Sequence, residues 1–173
     1  IIINSLDLDA TLHADDLEDA LSQDGRFGLI QSLLHVVRPE YGFELCLNSD
    51  FPVGSGLGGS ATLSAAVLGC FNSLRKDKWN QHELAEIAFQ AERLHLGIAG
   101  GWQDQYAAVF GGFNFIEFHA NENVVNPIRV HSDIVLELEE SLILCNTGLD
   151  HHSGNIHKDQ KETMSSDAIK EMV

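Results

Sequence analysis

The chain opens on an apolar strand, Ile1-Ile2-Ile3, and then turns polar. Asp15 stands where an N-cap belongs, ahead of a short acidic helix ending near Gly25. Phe27, Ile30, Leu33, Leu34 and Val37 recur at helical spacing, and Pro39 stops that helix. Residues 43–48 read as a strand, followed by a glycine-rich loop and a mostly apolar helix to about Leu74. Asn80 and Glu83 form a capping box for the next helix, whose apolar face is Leu84, Ile87, Ala88, Ala91 and Leu94; Gly97 ends it. A short helix is expected over 103–110. Gly111-Gly112 then opens a strand over 113–118 with aromatics at period two, and the turn Asn121-Glu122-Asn123 introduces another over 124–130. Further strands are expected at 134–138 and 142–145, and a polar amphipathic helix over 153–172. Strands and helices mix without strict alternation, which predicts an α+β fold. No internal repeat, low-complexity tract or linker interrupts it.

The loop Pro52-Val-Gly-Ser-Gly-Leu-Gly-Gly-Ser-Ala61 carries the first chemistry. A glycine-rich loop opening a helix is an anion site: successive N–H groups point one way, and the helix N-terminus carries about half a positive charge. A tight turn whose glycines only permit unusual dihedrals is the plainer explanation of the same residues. Gly54, Gly59 and Ser60 fit a Walker loop except that Gly59 runs straight into Ser60, with no lysine to reach the phosphates. Gly54, Gly56 and Gly59 spell G-x-G-x-x-G, but the strand before them is broken early by Ser49-Asp-Phe-Pro52. Neither pattern holds.

Charge and cysteine content narrow the partners. The 173 residues hold 26 acidic against 10 basic side chains, a formal charge of −16, so neither nucleic acid nor an anionic membrane is an expected partner. A nucleotide remains compatible where backbone dipoles and a divalent cation serve it locally. Cys46, Cys70 and Cys145 are widely spaced and form no C-x-x-C, which reads as reduced, mostly buried thiols of a cytoplasmic protein. No apolar run is long enough for a membrane span. An apolar start and a helical pattern still running at Glu171-Met-Val173 read as cut ends of a longer chain, and a cut edge could drive homo-oligomerisation.

The run Gly100-Gly-Trp-Gln-Asp-Gln-Tyr106 is the second constellation. Asp104 follows a double glycine inside the first turn of a helix, where the dipole favours its carboxylate. Such a group can accept or orient a substrate hydroxyl proton; an ordinary capping aspartate is the plainer alternative. His151, His152 and His157 lack the spacing and the cysteine neighbours of a zinc site.

Pro52, Gly56, Leu57, Gly58, Ser60 and Ala61 resemble the second signature motif of the GHMP kinases (galactokinase, homoserine, mevalonate and phosphomevalonate kinases), with Gly59 where the family usually has serine. The Gly-Gly-x-x-Asp-Gln-Tyr run, extended through Phe110-Gly-Gly-Phe-Asn-Phe-Ile-Glu117, resembles the branch of D-glycero-D-manno-heptose 7-phosphate kinases and related bacterial sugar kinases. The resemblance implies a mixed sheet with helices on one side. It divides the chain into an ATP-binding N-terminal domain over 1–140, lacking its first strands, and the beginning of a C-terminal domain over 141–173. It also implies that residues Pro52, Gly54, Ser55, Gly56, Leu57, Gly58, Gly59, Ser60 and Ala61 hold ATP phosphates, that Ser60 and Glu92 bind Mg2+, and that Asp104 is catalytic. Glu92 lies near the Ala88 and Phe89 side of its helix, though a solvated helix-end glutamate explains it as well. Gly101, Gln103, Thr147, Gly148 and His152 are the expected acceptor-site residues, with histidines where the branch often has a basic residue. The implied activity is transfer of the ATP γ-phosphate to a sugar or sugar-phosphate hydroxyl, the anomeric one in the heptose branch. The competing hypothesis is a non-catalytic nucleotide- or anion-binding module or an inactive fragment of such a kinase, separated from the first by ATP turnover with a sugar panel and, earlier, by whether Asp104 shares a cleft with the glycine loop.

Overall fold

The structure, a computed structural model, describes residues 1–23, 25–52 and 54–145. Its first layer is a three-stranded mixed sheet of β1 (Ile2–Ser5), β2 (Ala10–His13) and β3 (Glu44–Leu47), in the order β2-β1-β3. β1 pairs antiparallel with β2 and parallel with β3, setting Ile3 beside both Leu12 and Leu45. Ile3, Leu12 and Leu47 are buried, whereas Thr11, His13, Glu44 and Cys46 on the opposite face are exposed. The helices therefore cover one side of the sheet, as expected.

Those helices are α1 (Leu17–Ser22), α2 (Gly28–Val37), α3 (Gly59–Leu74) and α4 (Gln81–Phe89). On α2, Ile30, Leu33 and Leu34 form the inward stripe; on α3 it is Val67, Leu68 and Phe71. These residues join Ile3, Leu12 and Leu47 in one core, where each fully buried Leu or Ile is worth roughly 1.5–3 kcal/mol. Asn80 and Glu83 make the predicted capping box. Two expectations shift. The N-cap of α1 is Asp16 rather than Asp15, because the Asp16 carboxylate accepts from the Asp19 N–H at 2.8 Å. β2 was not expected at all; its Ala-Thr-Leu-His sequence commits only Leu12 to the core.

α4 runs on into a π-helical turn, Gln90–His95, and Gly97 then turns the chain with φ of 71°. α5 (Gln103–Phe110) packs against α3 and α4. β4 (Asn114–Phe118) and β5 (Asn123–Pro127) form a separate antiparallel hairpin. It is tied to the helices by the Tyr106–Phe118 edge contact and by Asn123, whose Nδ2 donates to the Tyr106 hydroxyl at 3.1 Å. β5 ends at Pro127 rather than at residue 130.

The strand expected at 134–138 is instead helix α6 (Ser132–Ser141), and residues 142–145 belong to no regular element. Ile134, Leu136 and Leu138 alternate like a strand, but α6 buries none of its residues, so no core enforces that period. The domain boundary expected at 140 falls in the last turn of α6, and the expected helix over 153–172 lies outside the described residues. The cysteines are also corrected: all three are exposed, Cys46 on the uncovered sheet face and Cys70 on the outer side of α3.

Candidate active site

The glycine loop has a built backbone shape. Gly54, Gly56 and Gly58 take left-handed φ values of 80°, 75° and 72°, alternating with Ser55 and Leu57 on the ordinary side. Alternation of this kind turns successive N–H groups toward one concave face. Gly58 is the N-cap of α3 and supplies no side-chain hydrogen bond, so the first N–H groups of a sixteen-residue helix are left for another acceptor. A Cβ on Gly56 or Gly58 would meet no atom within 4 Å, so this face of the loop is open. Gly59 differs. A Cβ there would lie 3.0 Å from Cε2 of Phe51, so any larger residue would require that ring to give way.

The loop forms one wall of a cleft of about 410 Å³. Gly56, Leu57, Gly58 and Thr62 line it from the loop and α3, and Gln103 and Asp104 from the first turn of α5. Ala107 and Ala108, one turn on, add small side chains. Asp104 thus lines the same cleft as the glycine loop.

Beside the cleft lies a buried polar cluster centred on Glu92, which is only 2% exposed. The π-helical turn carries both Ala91 and Glu92 inward. Glu92 Oε1 accepts from the Ser60 hydroxyl at 2.7 Å and lies 3.4 Å from Nη1 of Arg93. Glu92 Oε2 accepts from Nε2 of Gln105, a residue with no exposed surface. Arg93 continues to the carbonyls of Ala99 and Gly101, and its guanidinium lies flat where a Cβ on Gly100 would be. Gly100 therefore makes room for Arg93, which ties the loop before α5 to the carboxylate. Ser60 and Glu92 present adjacent hard oxygens, the donor chemistry Mg2+ prefers when it keeps most of its waters. The two residues fit that ion. Among the described residues no group of three or more His, Cys, Asp or Glu could hold a metal.

The expected residues thus separate into four sets. Gly56, Leu57, Gly58, Gln103 and Asp104 share the cleft. Ser60 and Glu92 meet each other at the foot of α3, and Ala61 is buried, so only its backbone is available. Pro52 and Ser55 are exposed at the loop's start; Gly101 is exposed too, and its carbonyl accepts from Arg93. Thr147, Gly148 and His152, with His151 and His157, lie outside the described residues. Thr62, Arg93 and Gln105 were missed. The signal for the last two was adjacency: each directly follows a singled-out acid, Glu92 or Asp104.

Residues 28–112 match the model of the GHMP kinases N-terminal domain. The chain is similar to the GHMP kinases over that segment. It is 38% identical over 184 residues to a D-glycero-alpha-D-manno-heptose 7-phosphate kinase of Campylobacter jejuni, across 99% of this chain and 54% of that protein. Among solved structures, a D-glycero-D-manno-heptose 1-phosphate kinase from Bacteroides thetaiotaomicron superposes with a TM-score of 0.68 at 34% identity, covering 80% of this chain and 47% of that one. The Methanococcus jannaschii mevalonate kinase, at 20% identity and a TM-score of 0.58 over 75% of this chain, shares the fold. The chain spans about half the length of the relative it matches from end to end.

Proposed function

We propose that the full-length protein is an ATP-dependent kinase acting on a hydroxyl of a sugar or sugar phosphate, with the anomeric hydroxyl of a heptose phosphate as its acceptor. One observation carries this reading: Asp104 and the open face of the glycine loop line the same cleft. The backbone N–H groups of residues 54–61 and the uncapped start of α3 hold the ATP phosphates. Ser60 and Glu92 hold Mg2+, which when bound neutralises phosphate charge. Asp104 takes or orients the acceptor hydroxyl proton, and Gln103 beside it contacts the acceptor. Phosphoryl transfer asks mainly for positioning and charge stabilisation, which fixed backbone dipoles supply at no reorganisation cost. A non-catalytic anion-binding module would leave Asp104 capping its own helix away from the loop; the shared cleft speaks against it. The names of the relatives point to heptose phosphates as the acceptor class.

The test is ATP turnover by the full-length protein with a panel of sugars and sugar phosphates, with products identified by mass spectrometry. A heptose phosphate gaining one phosphoryl group at C1 is the expected product. ATP binding without phosphorylation of any panel member would favour the binding module.

A further inference from the structure

Asp104 and Gln105 are neighbours on one helical turn, yet they serve different faces of α5. Asp104 lines the cleft; Gln105 is fully buried and donates through Nε2 to Glu92 Oε2. The other end of that amide, Oε1, is buried without a hydrogen-bond partner among the described residues. Rotating the amide would not help, because it would set Oε1 against a carboxylate oxygen and leave the donor unused. The arrangement is therefore locked with the donor on Glu92, although an unmade buried acceptor costs about 1–3 kcal/mol. Buried polar atoms without a partner are few in native proteins, and each asks for an explanation.

We propose that Gln105 is a positioning residue. By engaging Oε2 it fixes the plane of the Glu92 carboxylate and leaves Oε1 turned toward the Ser60 hydroxyl, 2.7 Å away. That is the pair of hard oxygens assigned above to the divalent cation. Because Gln105 directly follows Asp104, the same contact fixes where the cation pair sits relative to the carboxylate facing the acceptor. Neither Ser60 nor Arg93 can substitute, since both approach Oε1. The inference rests on Ser60 and Glu92 binding the metal, as proposed for the function.

The experiment measures Mn2+ binding to the full-length protein with ADP by electron paramagnetic resonance, for Gln105→Leu, Gln105→Met and Glu92→Gln. Both Gln105 variants keep the buried volume while removing the donor. They should weaken Mn2+ binding by about 10- to 100-fold, as loss of a ligand's supporting hydrogen bond does. They should also lower kcat while leaving the acceptor KM within about threefold, a split that a merely structural amide does not produce. If Glu92→Gln weakens Mn2+ binding but both Gln105 variants bind as tightly as the parent, the positioning role is wrong. If Glu92→Gln itself has no effect, the metal assignment fails instead. Failure of both Gln105 variants to fold also overturns the proposal, in favour of a purely structural amide.

Discussion

Replacing Gly58 with alanine separates the conformation of the glycine loop from its binding role. Gly58 holds φ of 72° at the N-cap of α3, and a Cβ there would meet no atom within 4 Å. The stability cost is therefore backbone strain alone, about 1–2 kcal/mol for an L-residue in the left-handed region. At roughly 2–4 °C per kcal/mol for a domain of this size, Tm should fall by about 2–8 °C. Gly69 is the internal control. It lies inside the same helix, is exposed, has no positive φ and has the same empty surroundings. Alanine there gains the helix-propensity difference of about 0.8–1 kcal/mol, so Tm should rise.

The binding effect is independent of that strain. The new methyl stands on the open face of the loop, where it blocks phosphate approach. Loss of one charge-assisted hydrogen bond, about 1.5–3 kcal/mol, corresponds to roughly 10- to 100-fold in ATP affinity. Valine is less informative, because a β-branched residue at positive φ adds strain that blurs the two effects. Differential scanning calorimetry of both variants and titration calorimetry with ATP, on full-length protein, give the two readouts. A lowered Tm with unchanged ATP affinity would refute the phosphate role of the loop. A Gly58→Ala variant as stable as the parent would refute the geometry.

Asp104→Asn keeps size and shape but removes the charge, so turnover should fall about 10²- to 10⁴-fold while calorimetry finds ATP affinity within about threefold of the parent. Gly100→Ala would set a Cβ 2.5 Å from Cζ of Arg93 and push the guanidinium off Glu92; a loss of about 1–3 kcal/mol is expected in urea unfolding, and an unchanged midpoint contradicts the packing. Burial pushes the Tyr106 phenol up from 10.0 to about 12, with the Glu86 carboxylate also raising it and the Asn123 hydrogen bond opposing. The folded value is the higher one, so the protonated phenol stabilises the fold below pH 10 and that contribution is lost as pH rises from 10 to 12. Tyr106→Phe should remove the ultraviolet step near pH 12, and a tyrosinate step from Tyr106 near pH 10 would show the ring to be solvated.

The elements legible in the sequence were those in which local chemistry and burial agree. The capping box at Asn80 and Glu83, the glycine-led start of α3 and the helix over 103–110 all combine a terminal signal with a face that ends up buried. Legibility failed where burial does not discipline the pattern. α6 is rich in glutamate, which favours helix, yet its exposed Ile134, Leu136 and Leu138 happen to alternate. β2 is held by pairing with β1, a long-range contact that four residues cannot announce. In the site, the motifs pointed to Ser60, Glu92 and Asp104, whereas Gln105 and Arg93 act through a fold that brings α3, the π-helical turn and α5 together. No spacing rule encodes that meeting.

The central claim is that the glycine loop, the Ser60–Glu92 pair and Asp104 serve one reaction centre. A crystal structure of the full-length protein with Mg2+ and a non-hydrolysable ATP analogue tests it most directly. Phosphates are expected on the N–H groups of residues 54–61, the metal against Ser60 and Glu92, and the γ-phosphate facing the Asp104 carboxylate across the cleft. Phosphates bound away from the start of α3, or a metal held without either Ser60 or Glu92, would contradict it.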